Sequence, residues 1–315
     1  MKPEGTRVVF MGSPAFAVPS LEALVEAGYN LVAVVTQPDR PAGRGGAVRQ
    51  PEVKVAALRH GLEILQPETL KDESVRERLR ALEPDLFVVA AYGRILPRAV
   101  LAIPSRGAIN VHASLLPRWR GASPIAAAIL AGDDKAGVSI MEMAPEMDAG
   151  PVIATAVEKI RPQDTTGTLE PRLAARGART LIDTLPGWYD GDLPAVPQDD
   201  SLATYCSLIR KEDGWLSSSM TALEAERAVH AYDPWPGAFV QYRGQRLSIW
   251  RSHVQANTAD TPPGALLVVG RQPAVALRDG LLVLDEVQRT GARRQSGHDF
   301  LNGERGAPAP EVGLR

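Results

Sequence analysis

The chain opens with an apolar run that ends in a turn, Arg7-Val8-Val9-Phe10-Met11-Gly12-Ser13-Pro14. A continuous apolar run closed by glycine and proline is typical of a buried β-strand followed by a loop. Beyond the turn, Leu21, Leu24 and Val25 recur at the spacing of one helix face, and Gly28 ends that helix. The opening residues therefore predict a strand followed by a helix.

Similar apolar runs return through the first half of the chain, at residues 31–35, 86–91, 108–111 and 138–143. Parallel strands that are covered by helices on both faces need such continuous apolar sequences. Strands that alternate with helices form right-handed βαβ units. We therefore predict an α/β fold with a doubly wound, mostly parallel sheet.

The sequence changes character after residue 183. Residues 183–200 are rich in aspartate, proline and glycine and contain no lysine or arginine, which is typical of a linker. Short apolar runs separated by turns then predict a small β-barrel, with Trp235 and Trp250 in its core. These runs lie at residues 237–242, 247–250, 265–269, 274–277 and 281–284. The predicted division is an α/β domain at residues 1–190, a linker at 191–205 and a barrel at 206–315.

Composition excludes several classes of protein. The 315 residues include 35 basic and 37 acidic side chains, so the chain is not a generally basic nucleic-acid binder, although a local basic patch is possible. Cys206 is the only cysteine, which excludes an intrachain disulfide and a zinc site built from several cysteines. The apolar runs are far shorter than the ~20 residues that span a bilayer. We expect a cytoplasmic protein that acts without a membrane.

The glycine-rich turns do not match phosphate-binding motifs. The turn after the first strand lacks the G-x-G-x-x-G pattern, and Phe16 would obstruct a pyrophosphate. Residues 43–46 are rich in glycine but lack the Gly-Lys-Ser/Thr of a phosphate loop. Nicotinamide and ATP chemistry are both disfavoured.

The most informative polar residues are Asn110 and His112, at the end of one apolar run. Residues two apart on a strand point to the same face. An amide and an imidazole therefore project together from the carboxyl end of a strand, where open α/β sheets bind their ligands. A structural role is also compatible with this pattern, in which Asn110 caps a turn and His112 is a hydrogen-bonded core residue.

Asp148 precedes the turn at Gly150-Pro151, where an aspartate is usually structural. It also follows the apolar run at residues 138–143. If that strand neighbours the strand of Asn110, the carboxylate comes within reach of His112 and can fix its tautomer.

These segments resemble the formyltetrahydrofolate-dependent formyltransferases, which implies a Rossmann-like formyltransferase domain followed, in this chain, by a small OB-like barrel. The central likeness lies at residues 110–117, 120–121 and 148–150. Further matching segments lie at residues 12–17, 36–45, 91–97, 164–169, 231–237 and 300–303. The resemblance spans nearly the whole chain and favours the branch that formylates the amino group of initiator methionyl-tRNA.

The resemblance implies a reaction in which a formyl group passes from 10-formyltetrahydrofolate to an amine, with no metal. Asn110 would donate a hydrogen bond to the oxyanion. His112 would donate another or relay the proton. Asp148 would hold His112 in its working protonation state and help to remove the proton from the amine. The implied folate-binding residues are Ser114, Leu115, Leu116 and Pro117, with backbone contacts from Tyr92, Gly93, Arg94, Ile95 and Leu96.

The resemblance also implies tRNA as a partner, and we expect the chain to act as a monomer. In the family, the loop that corresponds to residues 38–50 embraces the acceptor end of tRNA. Arg40, Arg44 and Arg49 lie in this loop and would contact phosphates or the terminal base pairs. An ordinary solvated surface loop is the alternative for these arginines.

Three other functions stay open at this point. A sugar-nucleotide N-formyltransferase would use the same folate donor and would need no barrel to hold tRNA. A formyltetrahydrofolate hydrolase would use water in place of the amine. A non-catalytic tRNA-binding protein on a decayed enzyme fold is disfavoured, because Asn110, His112 and Asp148 are all present.

Overall fold

The chain forms two compact units in a computed structural model that describes residues 3–42, 47–258, 261–304 and 309–315. The first unit consists of residues up to 124 together with 135–159 and 170–206. The second unit consists of residues 125–134, 160–169 and 207–315.

Strands and helices alternate through the first half of the chain, and strands dominate the rest. In chain order they are β1 Arg7–Gly12, α1 Val18–Glu26, β2 Asn30–Val35, β3 Arg40–Ala42, β4 Ala47–Arg49, α2 Glu52–Arg59, β5 Ile64–Leu65, α3 Glu73–Ala81, β6 Leu86–Ala90, α4 Arg98–Leu101, β7 Ala108–His112, β8 Arg120–Gly121, α5 Pro124–Ala131, β9 Lys135–Glu142, β10 Val152–Lys159, α6 Thr166–Asp190, β11 Tyr205–Cys206, α7 Ala222–Ala231, β12 Ala238–Tyr242, β13 Gln245–Ala256, β14 Leu266–Val269, β15 Gln272–Ala276, β16 Gly280–Arg289, β17 Gln295–Ser296 and α8 Gly297–Asn302.

A seven-stranded sheet in the order β10-β9-β7-β6-β1-β2-β5 forms the centre of the first unit. The strands β5, β2, β1, β6 and β7 pair in parallel. β9 is antiparallel to β7, and β10 is antiparallel to β9. Every residue of β6 and β7 is buried, as their continuous apolar sequences require. The predicted α/β fold with a mostly parallel sheet is confirmed.

The carboxyl ends of β1, β6 and β7 lie at one edge of this sheet. The register places Gly12 beside Ala90, and Ala90 beside Val111. The antiparallel strand β9 then places Ser139 opposite His112. Loops that follow these strands therefore meet at the edge where open α/β sheets bind ligands.

An antiparallel sheet in the order β12-β13-β16-β15-β14, with β17 paired to β16, forms the second unit. The five predicted strands of this region are confirmed as β12 to β16. The predicted barrel is not closed, because β12 and β14 do not pair with each other among the described residues. Glu311 and Gly313 near the C-terminus form isolated bridges with Ala265 and Gln241 instead. This last segment occupies hydrogen-bonding positions that direct closure would need.

The linker-like composition that starts at residue 183 does not mark the end of a helix. Residues 183–190, which the predicted division places in the α/β domain, are the last turns of α6, where the buried Leu181 and Leu185 continue one apolar helix face. Trp235, expected in the core, is 57% exposed. Trp250 is half-buried, and the Arg294 guanidinium lies 3.7 Å from the centre of its ring. In the described residues, no helix has both the length and the apolar character needed to cross a membrane.

Candidate active site

Asn110 and His112 lie on the same face at the carboxyl end of β7, and both side chains are buried. Asn110 is only 8% exposed. Within the described part of the chain, no group hydrogen-bonds its side-chain amide. Since buried polar groups normally have a partner, this amide is available to a bound molecule.

His112 is held in one tautomer by the backbone. Its Nε2 lies 3.0 Å from the carbonyl oxygen of Trp119. A carbonyl can only accept, so Nε2 carries the hydrogen and Nδ1 of the neutral ring has the free lone pair. Nδ1 lies 3.8 Å from Oδ1 of Asp148. The structure thus brings the carboxylate of Asp148 beside the ring atom that can take up a proton.

Asp148 is itself oriented by a backbone contact. The amide of Gly121 donates a hydrogen bond of 2.8 Å to Oδ2 of Asp148. This contact leaves Oδ1 directed toward His112. Asp148 has a φ of 49°, in the left-handed region that residues other than glycine seldom occupy. The left-handed conformation of Asp148 therefore places its carboxylate between the Gly121 amide and the His112 ring.

Gly150, two residues beyond Asp148, lies where two backbone segments approach closely. A Cβ atom at this position would overlap the carbonyl oxygen of Glu142. We expect Gly150→Ala to lower the free energy of unfolding by ~1–3 kcal/mol, the usual effect of overpacking. Urea denaturation measures the change. Gly5→Ala is the control, because its Cβ would meet nothing within 4 Å. Equal stability of the two variants would contradict the close approach of the Gly150 backbone to the Glu142 carbonyl.

The loop after β7 contains the four predicted folate-binding residues at positions 114–117, and Ser139 holds it against the sheet. The Ser139 hydroxyl donates to the carbonyl of Ser114 at 2.7 Å and accepts from the amide of Leu116 at 3.1 Å. The Ser114 hydroxyl donates to the carbonyl of Arg118 at 2.6 Å. Because Ser139 lies opposite His112, this loop begins directly beside the candidate site.

The second predicted folate-binding segment, residues 92–96, follows β6 at the same edge of the sheet. The Tyr92 side chain is 2% exposed and packs into the core, and this burial raises its pKa. The Tyr92 carbonyl accepts hydrogen bonds from the hydroxyl of Ser13 and the side-chain amide of Gln37. Leu96 is buried, whereas Ile95 is 86% exposed. Only part of this segment is therefore open to a ligand.

Two of the three arginines predicted to bind tRNA lie opposite each other. Arg40 in β3 pairs with Arg49 in β4, and both residues are exposed. Arg44 lies outside the described residues. Arg49 also forms an exposed ion pair of 2.5 Å with Glu52. Like charges on directly opposite positions repel each other, and a bound anion would relieve that repulsion.

A cavity lies elsewhere in the first unit, away from Asn110, His112 and Asp148. A cavity of about 320 Å³ lies near β5, lined by residues that include Val35, Leu65 and Leu79, and it is not lined by Asn110, His112 or Asp148. Across the ranges that the structure describes, no group of three or more histidine, cysteine, aspartate or glutamate side chains could hold a metal.

The groups that orient the site are not evident from the sequence. The carbonyl of Trp119 and the amide of Gly121 fix His112 and Asp148. Gln198 contacts the backbone of the Asp148 turn. The one sequence signal for them is the Arg120-Gly121 pair inside the family motif, whereas Gln198 lies in the predicted linker.

Comparison with known sequences assigns the chain to a protein family. The profile of the family described as Formyl transferase matches residues 6–185. The chain belongs to this family. The profile described as Formyl transferase, C-terminal domain, matches residues 208–305. A methionyl-tRNA formyltransferase from Chloroflexus aggregans (strain MD-66 / DSM 9485) is 48% identical over 312 residues, which are 98% of this chain and 99% of that protein.

Solved structures share the fold of this formyl transferase chain. An N-formyltransferase from Helicobacter canadensis, in complex with folinic acid and dTDP-3-aminofucose, has a TM-score of 0.68 and 16% identity over 92% of this chain and 100% of its own. HypX from Aquifex aeolicus, in complex with tetrahydrofolic acid, has a TM-score of 0.63 and 16% identity. The match covers 96% of this chain and 49% of HypX, so this chain spans about half the length of HypX.

Proposed function

We propose that this chain transfers the formyl group of 10-formyltetrahydrofolate to the amino group of initiator methionyl-tRNA, as a monomer in the cytoplasm. The observation that supports this proposal most strongly is the 48% identity, over 98% of the chain, to a relative named methionyl-tRNA formyltransferase. The convergence of Asn110, His112 and Asp148 at one sheet edge supports the chemistry.

The first chemical requirement is stabilisation of negative charge. When the amine attacks the formyl carbon, a C–N bond forms and charge develops on the formyl oxygen. The buried side-chain amide of Asn110 donates a hydrogen bond to that oxygen. A preorganised donor of this kind acts on charge that exists only in the transition state and the intermediate.

The second requirement is movement of a proton. The attacking amine loses a proton, and N10 of the folate gains one as its bond to the formyl carbon breaks. The lone pair on Nδ1 of His112 accepts the proton from the amine and later gives it to N10. Oδ1 of Asp148, 3.8 Å away, stabilises the positive charge on the ring in between. Because a protonated N10 is already a workable leaving group, the proposed reaction needs no metal.

The folate lies, in this proposal, against the loops at residues 92–96 and 114–117. Both loops follow parallel strands at the edge that contains Asn110. Two hydrogen bonds between Ser139 and the second loop, one donated and one accepted by the Ser139 hydroxyl, keep this loop in place beside His112. The tRNA is held by the loop of Arg40, Arg44 and Arg49 and by the C-terminal domain, residues 206–315.

The exposed arginines of the β3–β4 hairpin provide a test of tRNA binding. We expect Arg40→Ala and Arg49→Ala each to raise KM for methionyl-tRNA and to reduce the slope of log KM against log salt by about 1, the effect of one lost phosphate contact. KM for the folate should not change. Arg179→Ala, at an exposed position of α6, is the control. Unchanged salt slopes in both hairpin variants would contradict their contact with phosphates.

The proposed reaction is tested by a choice of acceptors. 10-Formyltetrahydrofolate is supplied with methionyl-tRNA, with a mixture of amino-sugar nucleotides, or with water alone, and the release of tetrahydrofolate is followed. We expect release only with methionyl-tRNA. Release with the sugar nucleotides would identify a sugar-nucleotide N-formyltransferase, and release without an added acceptor would identify a hydrolase. No release in any reaction would favour a non-catalytic protein.

A further inference from the structure

Gln198 connects both sides of the turn that contains Asp148. Its side-chain nitrogen donates to the carbonyl of Asp148 at 2.8 Å and to the carbonyl of Gly150 at 2.7 Å. The two hydrogens of one amide group thus hold the carbonyls on either side of Ala149. A left-handed conformation at Asp148 needs such surrounding contacts to persist.

Arg120 fixes the orientation of the Gln198 amide. The Arg120 Nε and Nη2 atoms donate to Oε1 of Gln198 at 3.1 and 2.9 Å. Arg120 is 2% exposed, and its Nη2 also donates to Asp200 at 2.7 Å. A flipped amide would direct its nitrogen at the guanidinium and its oxygen at two carbonyls, so only the observed orientation satisfies every group.

The backbone around Arg120 connects this contact to the rest of the candidate site. Its neighbour Trp119 accepts the hydrogen bond of His112, and its neighbour Gly121 donates to Asp148. β8, which contains Arg120 and Gly121, pairs in parallel with β11. Three consecutive residues, Trp119 and the two residues of β8, therefore contact His112, Gln198 and Asp148.

We propose that Gln198 is a positioning residue for formyl transfer, acting by holding the Asp148 turn so that the carboxylate faces His112. This inference rests on the proposed function for its kinetic consequence. The contact itself is independent of that function, because it involves only the Asp148 turn, Arg120 and Gln198.

Two substitutions test the hydrogen bonds of the Gln198 side-chain amide. Gln198→Met keeps the length of the side chain and removes all its hydrogen bonds. Gln198→Glu keeps an oxygen for Arg120 but places a carboxylate against the carbonyls of Asp148 and Gly150. We expect both variants to lower kcat by ~10–100-fold, the range for a displacement of about 1 Å at a reacting group. KM for the folate and for methionyl-tRNA should stay close to the wild-type values.

A double-mutant cycle distinguishes positioning from a general structural effect. In an Asp148→Asn background, Gln198→Met should cause little further loss of kcat, because the group that it positions is already inactive. Gln163→Leu, at an exposed glutamine, is the control and should retain wild-type kinetics. Hydrogen exchange of the Gly121 amide gives a readout without catalysis, since this amide is bonded to Asp148 and should exchange faster in both Gln198 variants.

The results separate this inference from the proposed function. If the wild-type chain does not formylate methionyl-tRNA, the proposed function fails, and exchange at Gly121 alone decides the positioning role. If the wild type is active, the inference is overturned by a wild-type kcat in the Gln198 variants, by an equal loss in the Asp148→Asn background, or by unchanged exchange at Gly121. Loss of folding in both variants would assign Gln198 to stability and would also overturn it.

Discussion

Replacing Asn110 by alanine is expected to lower kcat by ~10²–10³-fold, the loss that follows removal of one oxyanion donor. The Asn110 amide is buried and has no hydrogen-bond partner within the described residues, so its loss should leave the fold intact. Because the donor acts on charge that develops during the reaction, KM for both substrates should change little. Steady-state kinetics with each substrate varied in turn measures both parameters.

A second substitution at the same position tests the hydrogen bond itself. Asn110→Asp keeps the shape of the side chain and replaces the donor by a negatively charged acceptor, so its kcat should be at least as low as that of Asn110→Ala. Asn30→Ala, at an exposed position at the start of β2, is the matched control. A kcat within a few-fold of the wild type for both Asn110 variants would show that the amide does not stabilise the oxyanion.

Much of the first unit could be predicted from local sequence. The apolar runs at residues 86–91 and 108–111 became β6 and β7, because strands buried on both faces must be apolar along their whole length. The position of Asn110 and His112 on one face of β7 follows from the two-residue period of a strand. Composition could not reveal that residues 183–190 continue α6, since polar residues dominate the exposed side of a helix.

The contacts that orient the site could not be predicted, because they join residues far apart in the chain. Gln198 lies 50 positions from Asp148 and 78 positions from Arg120. No local period or turn signal encodes such a pairing. The same reason applies to the second unit, where Glu311 and Gly313 form bridges with Ala265 and Gln241, residues far away in the chain.

Replacing Asp148 by asparagine is expected to lower kcat by ~10²–10⁴-fold, the range for loss of assistance to proton transfer. The asparagine oxygen can still accept the hydrogen bond from Gly121, so the turn should keep its conformation. The change therefore removes the negative charge beside Nδ1 of His112 with little else altered. Without that charge the protonated ring is less stable, and the amine loses its proton less readily.

The kinetics of Asp148→Asn also show whether Asp148 acts through its negative charge or only by holding the conformation of its turn. If the carboxylate acts only by holding the turn, asparagine substitutes for it and kcat stays near the wild-type value. That result would contradict its role in proton transfer. If the charge is required, kcat falls while exchange of the Gly121 amide remains slow, since Gly121 keeps its acceptor. Asp183→Asn, at an exposed aspartate of α6, should leave both measurements unchanged, because it lies on the helix surface.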